Sequence, residues 1–260
     1  MPIKKILLVC LTIFFVLQTN FAQSIENEDV KNYQSALESL VLLKNNNNLI
    51  PLQHLDTLKI AYLGLGMYEY EVDAIEQTLK KYTQIESLQV PRNNFETDPD
   101  AWLAQIKSEY DLFILGINDL SGGATPAFIS YAWVLDGLLA QETTIALVLG
   151  GKRALEFRPD LAKAEGLIFS QQQNDWSQSL AAQAVFGGVG VFGKLNEDFN
   201  ADFKTGFGLT TEQTRLGYAP PALLGFGTEQ LQEGIRTVVQ QGLDSMAYPG
   251  AQVLVAKDGK

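Results

Sequence analysis

The sequence has one cysteine and one histidine among its 260 residues, and this scarcity removes several kinds of chemistry. The cysteine, Cys10, lies in an apolar N-terminal segment and has no second cysteine with which to form a disulfide. The histidine, His54, has no second histidine or cysteine with which to share a zinc ion, and zinc rarely binds carboxylates alone. We therefore predict no metal site and interpret His54 as a solvated loop residue.

Motifs of serine hydrolases and of dinucleotide-binding proteins are missing as well. Neither Gly-x-Ser-x-Gly nor Ser-x-x-Lys occurs, so the chain supplies no activated serine of either type. Gly64-Leu65-Gly66 follows an apolar run, but Glu69 replaces the third glycine of a dinucleotide fingerprint. Glu71 and Asp73 add negative charge where a pyrophosphate would bind. We predict no cofactor and interpret the glycines as a tight turn between a strand and a helix.

Positive charge is also scarce. The chain has 19 Lys and Arg residues against 30 Asp and Glu residues, a formal net charge of −11 at pH 7. A surface this acidic repels phosphate backbones and anionic lipids. We predict that nucleic acid is not a partner, and the simplest interpretation of the charge is solubility outside the cytoplasm.

A short apolar run at the N-terminus predicts export. Lys4 and Lys5 precede the run, which extends over residues 6–17, and small or polar residues follow around Ala22-Gln23-Ser24. This order is typical of a secretory signal peptide, and the run is too short to anchor the chain in a bilayer. We predict that residues 1–23 are removed, and that the mature protein is periplasmic or extracellular with no membrane association.

Apolar segments alternate with amphipathic segments along the central part of the chain. Fully apolar strands separated by helices are typical of a parallel sheet covered on both faces. We therefore predict an α/β fold with a mostly parallel sheet and helices on both faces. Strands are predicted at Ile60–Gly64, Ile85–Val90, Asp111–Ile117, Thr144–Leu149 and Gly166–Phe169, and helices at Val30–Lys44, Glu71–Tyr82, Asp98–Lys107, Thr125–Leu139 and Asp175–Phe186.

The first of these helices is predicted from its spacing. Tyr33, Leu37 and Leu40 recur at intervals of three and four residues and form one apolar face. The asparagines 45–48 are expected to end the helix, because asparagine tolerates left-handed backbone angles. Pro51 then favours an extended connection.

The segment from Ala36 to Leu52 reads A-L-E-S-L-V-L-L-K-N-N-N-N-L-I-P-L and resembles the start of the C-terminal α/β sandwich domain of family-3 glycoside hydrolases. Residues 181–188, followed by Gly193-Lys194-Leu195, are similar to the end of that domain. A generic surface helix and turn is the alternative interpretation of the first segment. The resemblance covers residues 34–210 and implies hydrolysis of O-glycosyl bonds by a parent enzyme. In that family a preceding barrel carries the nucleophilic carboxylate, and this chain has no room for one before Ala36.

The resemblance also bears on the proton donor. In the β-glucosidase branch of the family, an acid/base glutamate follows the strand that corresponds to Asp111–Ile117. Here the loop of residues 118–124 has no matching motif. The resemblance thus implies the β-N-acetylglucosaminidase-like branch, in which the barrel supplies the proton donor and this domain is a scaffold. We assign no catalytic residue; Asp119 is a candidate for substrate binding, with a solvated strand-end aspartate as the alternative.

Asn174-Asp175-Trp176 superficially resembles the nucleophile segment of some barrels. It opens an amphipathic helix, where asparagine commonly caps the free N–H groups. We therefore predict a capping role for Asn174.

The C-terminal part of the chain has a different character. Gly217 and two adjacent prolines predict a linker over residues 210–222, and Thr228–Leu243 is an amphipathic helix. Tyr248–Lys260 resembles the start of serine β-lactamase and penicillin-binding esterase domains, with a strand at Val253–Val255 and a two-residue turn at Asp258-Gly259. Because a turn needs a second strand, we expect the helix and strand of residues 223–260 to belong to an incomplete second domain.

Together these patterns predict a signal peptide at 1–23, a sandwich domain at 24–209, a linker at 210–222 and a truncated domain at 223–260. We predict a scaffold domain of an exported family-3 glycoside hydrolase fused to a serine hydrolase, which meets its glycan substrate through the parent enzyme. One alternative is a secreted non-catalytic module that binds carbohydrate or protein. Another is a small α/β enzyme that uses carboxylates such as Asp119 and Glu69. The oligomeric state is not predicted.

Overall fold

The structure is a computed structural model that describes residues 28–66, 73–91, 98–118, 130–140 and 143–260. The chain divides into two compact units, one of residues 35–217 and a second that includes residues 218–260. The domain limits expected from the sequence, with a linker at 210–222, stay predictions. Among the described helices, none combines the length and apolarity needed to cross a bilayer.

The larger unit is built on a six-stranded sheet. Its order is β1-β6-β5-β4-β2-β3; β1 is antiparallel to β6, and all other neighbours are parallel. The predicted mostly parallel α/β sheet is therefore confirmed. The strands are β1 Leu40–Asn45, β2 Ile60–Leu65, β3 Ile85–Ser87, β4 Leu112–Asn118, β5 Thr144–Leu149 and β6 Gly166–Ser170.

Helices cover both faces of this sheet, as predicted. On one face, α3, α4 and α5 share a core with alternate strand residues such as Leu63 and Leu115. The intervening positions, such as Tyr62 and Gly116, face the opposite side of the sheet, where Ile75 of α2 lies near Gly116. Helix α2 in turn packs against α6. The helices are α1 (residues 28–39), α2 Ala74–Leu79, α3 Pro99–Glu109, α4 Ala132–Leu139, α5 Arg153–Phe157 and α6 Asp175–Phe186.

The predicted helix Val30–Lys44 is wrong in its last third. The helix ends at residue 39, and Leu40–Asn45 is strand β1, which pairs with β6. The four apolar residues 40–43 are all buried, on both faces of the strand. A continuous apolar run of this length fits a buried strand as well as a helix, and here the pairing with β6 decides between them.

The predicted start of a helix at Asp98 is confirmed. Asp98 caps α3, with its carboxylate accepting from the N–H of Asp100 at 3.0 Å, and Pro99 takes the first helical position. Asn47 and Asn48 adopt left-handed φ values of 53° and 54°. They follow strand β1, so the prediction that residues 45–48 end a helix is wrong. The short helix α5 had no sequence prediction.

Residues 210–217 belong to the larger unit and are hydrogen-bonded to other parts of it. The N–H groups of Thr214 and Arg215 both donate to the carbonyl oxygen of Gly187, at 2.8 and 2.9 Å. Thr211 exchanges two backbone hydrogen bonds with Val191. The first part of the segment predicted as a linker thus packs on the end of α6.

In the second unit, Thr228–Asp244 forms α7, as predicted. Asp258 and Gly259 have φ values of 51° and 77°, and Lys257 and Lys260 exchange backbone hydrogen bonds of 2.8 and 2.9 Å. The predicted two-residue turn is therefore confirmed. The predicted strand Val253–Val255 is not formed, since residues 251–257 have no strand partner among the described residues. A strand exists only when its backbone pairs with another.

Candidate functional site

The parallel strands β2, β4, β5 and β6 all end at one edge of the sheet, which we call the carboxyl edge. Strand order reverses between β2 and β4, because β2 leads to β3 on one side while β4, β5 and β6 follow on the other. In open α/β sheets, ligands bind outside the carboxyl ends of the strands at such a reversal. The carboxyl edge is therefore the candidate site.

Three carboxylates singled out by the sequence follow β2 or β4 in the chain. Glu69 and Glu71 follow β2, and Asp119 follows β4. All three lie outside the described residues, so substrate binding by Asp119 stays a prediction. Asp73, at the start of α2, is among the described residues, and its contacts can be given.

Asp73 is hydrogen-bonded to the middle of β2. The Tyr62 hydroxyl donates to Asp73 Oδ2 at 2.5 Å, and Asp73 Oδ1 accepts from the N–H groups of Ile75 and Glu76 at 2.9 and 3.1 Å. The glycine at position 116 in β4 allows this arrangement, since a Cβ atom there would collide with the Tyr62 hydroxyl. The two side chains thereby fix α2 to the sheet.

Burial dominates the electrostatics of this pair. Removal from water raises the pKa of Asp73 above its usual range, and the hydrogen bond from Tyr62 partly offsets that increase. Burial also raises the pKa of Tyr62 well above its usual value, and the nearby Asp73 carboxylate adds to the effect. Tyr62 therefore remains the donor of this hydrogen bond at all ordinary pH values.

This geometry gives Asp73 a structural role. Both of its oxygens accept hydrogen bonds, and Oδ1 caps the N–H groups at the start of α2. The carboxylate thus occupies the helix end at which a phosphate group would otherwise bind. The position of Asp73 agrees with the interpretation of the sequence, in which negative charge lies where a pyrophosphate would bind.

A network of hydroxyl and amide groups lies at the end of β6, and the sequence analysis missed it. Ser170 Oγ is 2.8 Å from Ser39 Oγ and accepts from the N–H of Gln172 at 3.0 Å. Gln172 in turn donates to Ser35 Oγ at 2.7 Å and accepts from the Asn174 amide at 3.1 Å. The available signal was the run Gln171-Gln172-Gln173-Asn174 directly after an apolar strand.

Gln173 is the one member of this run with an unused donor. Its Nε2 atom is buried and has no hydrogen-bond partner among the described residues. Its amide packs over Gly150 at the end of β5, where a Cβ atom would lie 2.5 Å from Gln173 Oε1. Gly150 has a φ of 95°, which favours glycine for a second reason. A buried donor without a partner is a group to which a ligand oxygen can bind.

Asn174 caps α6, as predicted. Its Oδ1 atom accepts from the N–H of Ser177 at 2.8 Å, and the Ser177 hydroxyl accepts from the N–H of Asn174 at 2.9 Å. This reciprocal pair is a capping box, and it satisfies two N–H groups at the helix start. The resemblance of residues 174–176 to a nucleophile segment is therefore accounted for by helix capping.

Asp136 and Asp160 are two carboxylates held close together by one cation. Arg158 Nη2 donates to Asp136 Oδ1 and to Asp160 Oδ2, both at 2.6 Å. The hydrogen bond from Arg158 lowers the pKa of Asp160, so this carboxyl stays ionised. A glycosidase pair needs one carboxylic acid that gives up its proton, and Asp160, bound by Arg158, does not suit that role.

Metal-binding groups are sparse in the part of the chain that the structure describes. It contains no cluster of three or more His, Cys, Asp or Glu side chains able to hold an ion. His54 is exposed and lies in a turn, where its carbonyl oxygen accepts from the N–H of Thr57 at 3.1 Å. The predicted loop position of His54 is confirmed.

Comparison with known proteins gave structural neighbours only. No protein-family model matches the chain, and no curated protein matches it in sequence. Among solved structures, it resembles a glycoside hydrolase family 3 β-N-acetylglucosaminidase from Paenibacillus sp. str. FPU-7, with a TM-score of 0.46, 10% identity and 60% of this chain covered. It also resembles a family-3 exo-β-xylosidase (TM-score 0.46, 16% identity, 64% covered) and β-glucosidase 3B from Thermotoga neapolitana (TM-score 0.43, 16% identity, 64% covered).

The chain spans only part of these neighbours. The matched region makes up 29% of the β-N-acetylglucosaminidase, 24% of the exo-β-xylosidase and 30% of the β-glucosidase.

Proposed function

We propose that this chain is the scaffold α/β domain of an exported family-3 glycoside hydrolase, fused to a serine hydrolase. The observation that carries the proposal is the contact between two segments that each resemble that domain. The opening segment (residues 36–52) and the closing segment (residues 181–195) are far apart in sequence, yet they pack on one another through their most characteristic residues.

The first contact joins the proline of the opening segment to the glycine that ends α6. A Cβ atom on Gly187 would lie 2.9 Å from Pro51 Cβ, so glycine is required for the approach. Gly187 also has a φ of 75° and closes the helix as its left-handed cap. Beside it, the Leu52 N–H donates to the Val185 carbonyl oxygen at 2.8 Å.

The second contact joins the closing segment to the edge of the sheet. A Cβ atom on Gly193 would overlap the carbonyl oxygen of Leu40 in β1 and would lie 3.0 Å from that of Glu38. Leu209 then donates from its N–H to the Leu42 carbonyl oxygen at 2.8 Å, which covers the free edge of β1. Packing thus gives a physical reason for the residue types in both segments.

A scaffold role agrees with the chemistry of the described residues. The carboxylates of Asp136 and Asp160 are both bound by Arg158, and Asp73 is a helix cap. In the proposed parent, the nucleophile and proton donor lie on a barrel outside this chain. The sequence of residues 118–124 contains no acid/base glutamate motif, which favours β-N-acetylglucosaminides as the parent's substrates.

The serine-hydrolase part of the proposal depends on residues 223–260. The supporting observations are the amphipathic helix α7 and the left-handed turn at Asp258-Gly259. Residues 251–257, which lie between them, have the sequence pattern of a strand but no strand partner among the described residues. In the proposed parent, a following strand would pair with it, and the nucleophilic serine would come later in that domain.

The reading frame that encodes this chain provides the test. We expect an upstream barrel with a nucleophilic aspartate, a downstream Ser-x-x-Lys, or both, in frame with residues 24–260. A product that includes the barrel should hydrolyse an aryl N-acetyl-β-glucosaminide, whereas its barrel aspartate→asparagine variant should not. A frame that contains neither element would refute the proposal.

A second candidate function is a secreted carbohydrate-binding module without catalysis. The observation in its favour is the buried, unpartnered Nε2 of Gln173 beside the polar network of Ser170 and Gln172. Amide and hydroxyl groups at a strand end can orient a sugar through hydrogen bonds. Titration of N-acetylglucosamine into the 260-residue protein should then give saturable binding that Gln173→Ala weakens and Gln171→Ala, at the more exposed neighbour, does not.

A further inference from the structure

Two tryptophans form a pair on helices α3 and α4. Trp102 lies on α3 and Trp133 on α4, with their ring centres 5.5 Å apart and their ring planes inclined by 68°. Both rings pack against the core of the larger unit, and both remain partly exposed. The pair therefore offers two inclined aromatic surfaces at the outside of the helical layer.

The packing of the helices holds the two rings in place. Gly137 allows α4 to approach α3 closely, since a Cβ atom there would lie 2.6 Å from Leu103 Cδ1. Arg158 Nη1 donates to the carbonyl oxygen of Ala132, next to Trp133, at 3.4 Å. The rings are thus positioned by packed elements, as a binding site requires.

The indole N–H groups of the pair are unused. Among the described residues, neither Nε1 atom has a hydrogen-bond partner, and neither belongs to the buried polar atoms that lack one. Buried indole N–H groups usually find a partner, so two unpaired donors that are not buried mark the polar side of these rings. Each can donate to an oxygen atom of a ligand.

An exposed carboxylate accompanies the rings. Asp136 follows Trp133 by three residues in α4 and lies on the same side of the helix. Its side chain is 68% exposed, and Arg158 Nη2 binds its Oδ1 atom at 2.6 Å. In the part of the chain that the structure describes, Asp136 Oδ2 accepts no hydrogen bond. This oxygen can accept from a ligand hydroxyl.

These groups suit a neutral pyranose. The C–H face of a sugar ring is apolar and packs on an aromatic ring, while its hydroxyls both donate and accept hydrogen bonds. An anion is disfavoured, because Asp136 and the formal net charge of −11 repel it. A cation is a poorer match, because Arg158 already binds Asp136 and a cation would give the indole N–H groups no acceptor.

We propose that Trp102, Trp133 and Asp136 form a binding site for a neutral pyranose unit of a glycan. The rings stack on the sugar, the indole N–H groups donate to its oxygens, and Asp136 Oδ2 accepts from a hydroxyl. The site goes beyond both functions proposed above, and it uses neither the contact between the opening and closing segments nor Gln173.

The three tryptophans of the chain provide an internal control. In a proton–nitrogen correlation spectrum of the 260-residue protein, each indole N–H gives one resonance, which a Trp→Phe substitution assigns. Titration with cellotetraose, an uncharged chain of pyranoses, should shift the Trp102 and Trp133 resonances in a saturable way. The resonance of Trp176, at the start of α6, should move less.

Matched variants separate a sugar site from a purely structural pair. Asp136→Ala should weaken cellotetraose binding about tenfold, as expected for a hydrogen bond to a charged group. Asp160→Ala removes the other carboxylate bound by Arg158 and should leave binding unchanged. Trp133→Phe keeps a ring but loses the N–H, so it should weaken binding less than Trp133→Leu does. Thermal melting of each variant checks that the fold is retained.

Tetramethylammonium is the competing probe, because a cation can also bind aromatic rings beside a carboxylate. It should leave the Trp102 and Trp133 resonances unchanged. The proposal is overturned if cellotetraose shifts neither resonance, if it shifts that of Trp176 alone, or if Asp136→Ala and Asp160→Ala weaken binding equally. Shifts with tetramethylammonium but not with cellotetraose would make the pair a cation site instead.

Discussion

Gly193 packs directly on the carbonyl group of Leu40, so closely that a Cβ atom on the glycine would overlap the carbonyl oxygen. The neighbour is backbone in a buried strand and cannot rotate away as a side chain would. Gly193→Ala should therefore displace either the closing segment or β1, and we expect a loss of about 1–3 kcal/mol in the free energy of unfolding. Urea denaturation followed by circular dichroism measures this loss.

Gly206→Ala is the matched control for that variant. Gly206 has a φ of 82° but no atom within 4 Å of its Cβ position, so alanine there meets only a conformational cost of about 1 kcal/mol. If Gly193→Ala proved no more destabilising than Gly206→Ala, the contact between the opening and closing segments would not be a determinant of the fold.

The hydrogen bond from Tyr62 to Asp73 predicts a pH dependence of stability. Because burial raises the pKa of Asp73, the folded protein holds this proton more tightly than the unfolded chain does. The contribution of the protonated Asp73 carboxyl to stability is fully present below the pKa of about 3.9 that the group has in the unfolded chain. This contribution is lost as the pH rises through the pKa of the group in the folded protein. The Asp73→Asn variant has no carboxyl group that titrates at this position. Its free energy of unfolding, relative to that of the wild type, should therefore increase as the pH rises across this window.

Tyr62→Phe should extend the pH dependence of stability that Asp73→Asn removes. The Tyr62 hydroxyl lowers the pKa of Asp73, so its removal raises that pKa further and extends the window to higher pH. The lost charge-assisted hydrogen bond should cost about 1.5–3 kcal/mol at neutral pH. Urea unfolding at several pH values checks both effects; a Tyr62→Phe profile parallel to wild type would show that the two groups are not coupled.

The capping box of α6 predicts a structural role for Asn174. Asn174→Ala should cost about 1 kcal/mol in stability, whereas Asn174→Asp should keep the cap and most of that stability. Thermal melting of the two variants measures the difference. Equal destabilisation by both substitutions would contradict the capping interpretation.

The division between residues 217 and 218 predicts where a protease cuts first. Thr214 and Arg215 are hydrogen-bonded to Gly187, so residues up to 217 should be protected with the sandwich. Limited proteolysis should cut first within residues 218–227, and mass spectrometry of the fragments locates the site. Early cuts between residues 143 and 210, with residues 218–227 intact, would contradict this division.

Much of the sheet was predictable because its strands are buried on both faces. The β5 strand Thr144–Leu149 and the helix Asp175–Phe186 form with the predicted bounds, since an apolar run and an asparagine cap are strong local signals. β1 was not predictable, because Leu40–Leu43 suit a helix or a strand equally and only pairing with β6 decides. Tertiary contacts therefore determine the one element whose local pattern is ambiguous.

The site was less predictable than the fold for a related reason. Asp73 was recognised as negative charge at a helix start, but its bond to Tyr62 depends on a strand position eleven residues away and on the glycine at 116. The polar network at Ser170 joins residues more than 130 positions apart. No local pattern encodes such contacts.

The central claim, that this chain is a scaffold without its own glycosidase chemistry, is tested most directly by turnover of an aryl N-acetyl-β-glucosaminide by the purified 260-residue protein. Two carboxyl groups must lie about 5–5.5 Å apart for retention or 6.5–9.5 Å apart for inversion, with one able to donate a proton. We predict no turnover above the uncatalysed rate. Turnover that disappears in Asp119→Asn or Glu69→Gln, with the circular dichroism spectrum unchanged, would contradict the scaffold account and establish a small carboxylate enzyme instead.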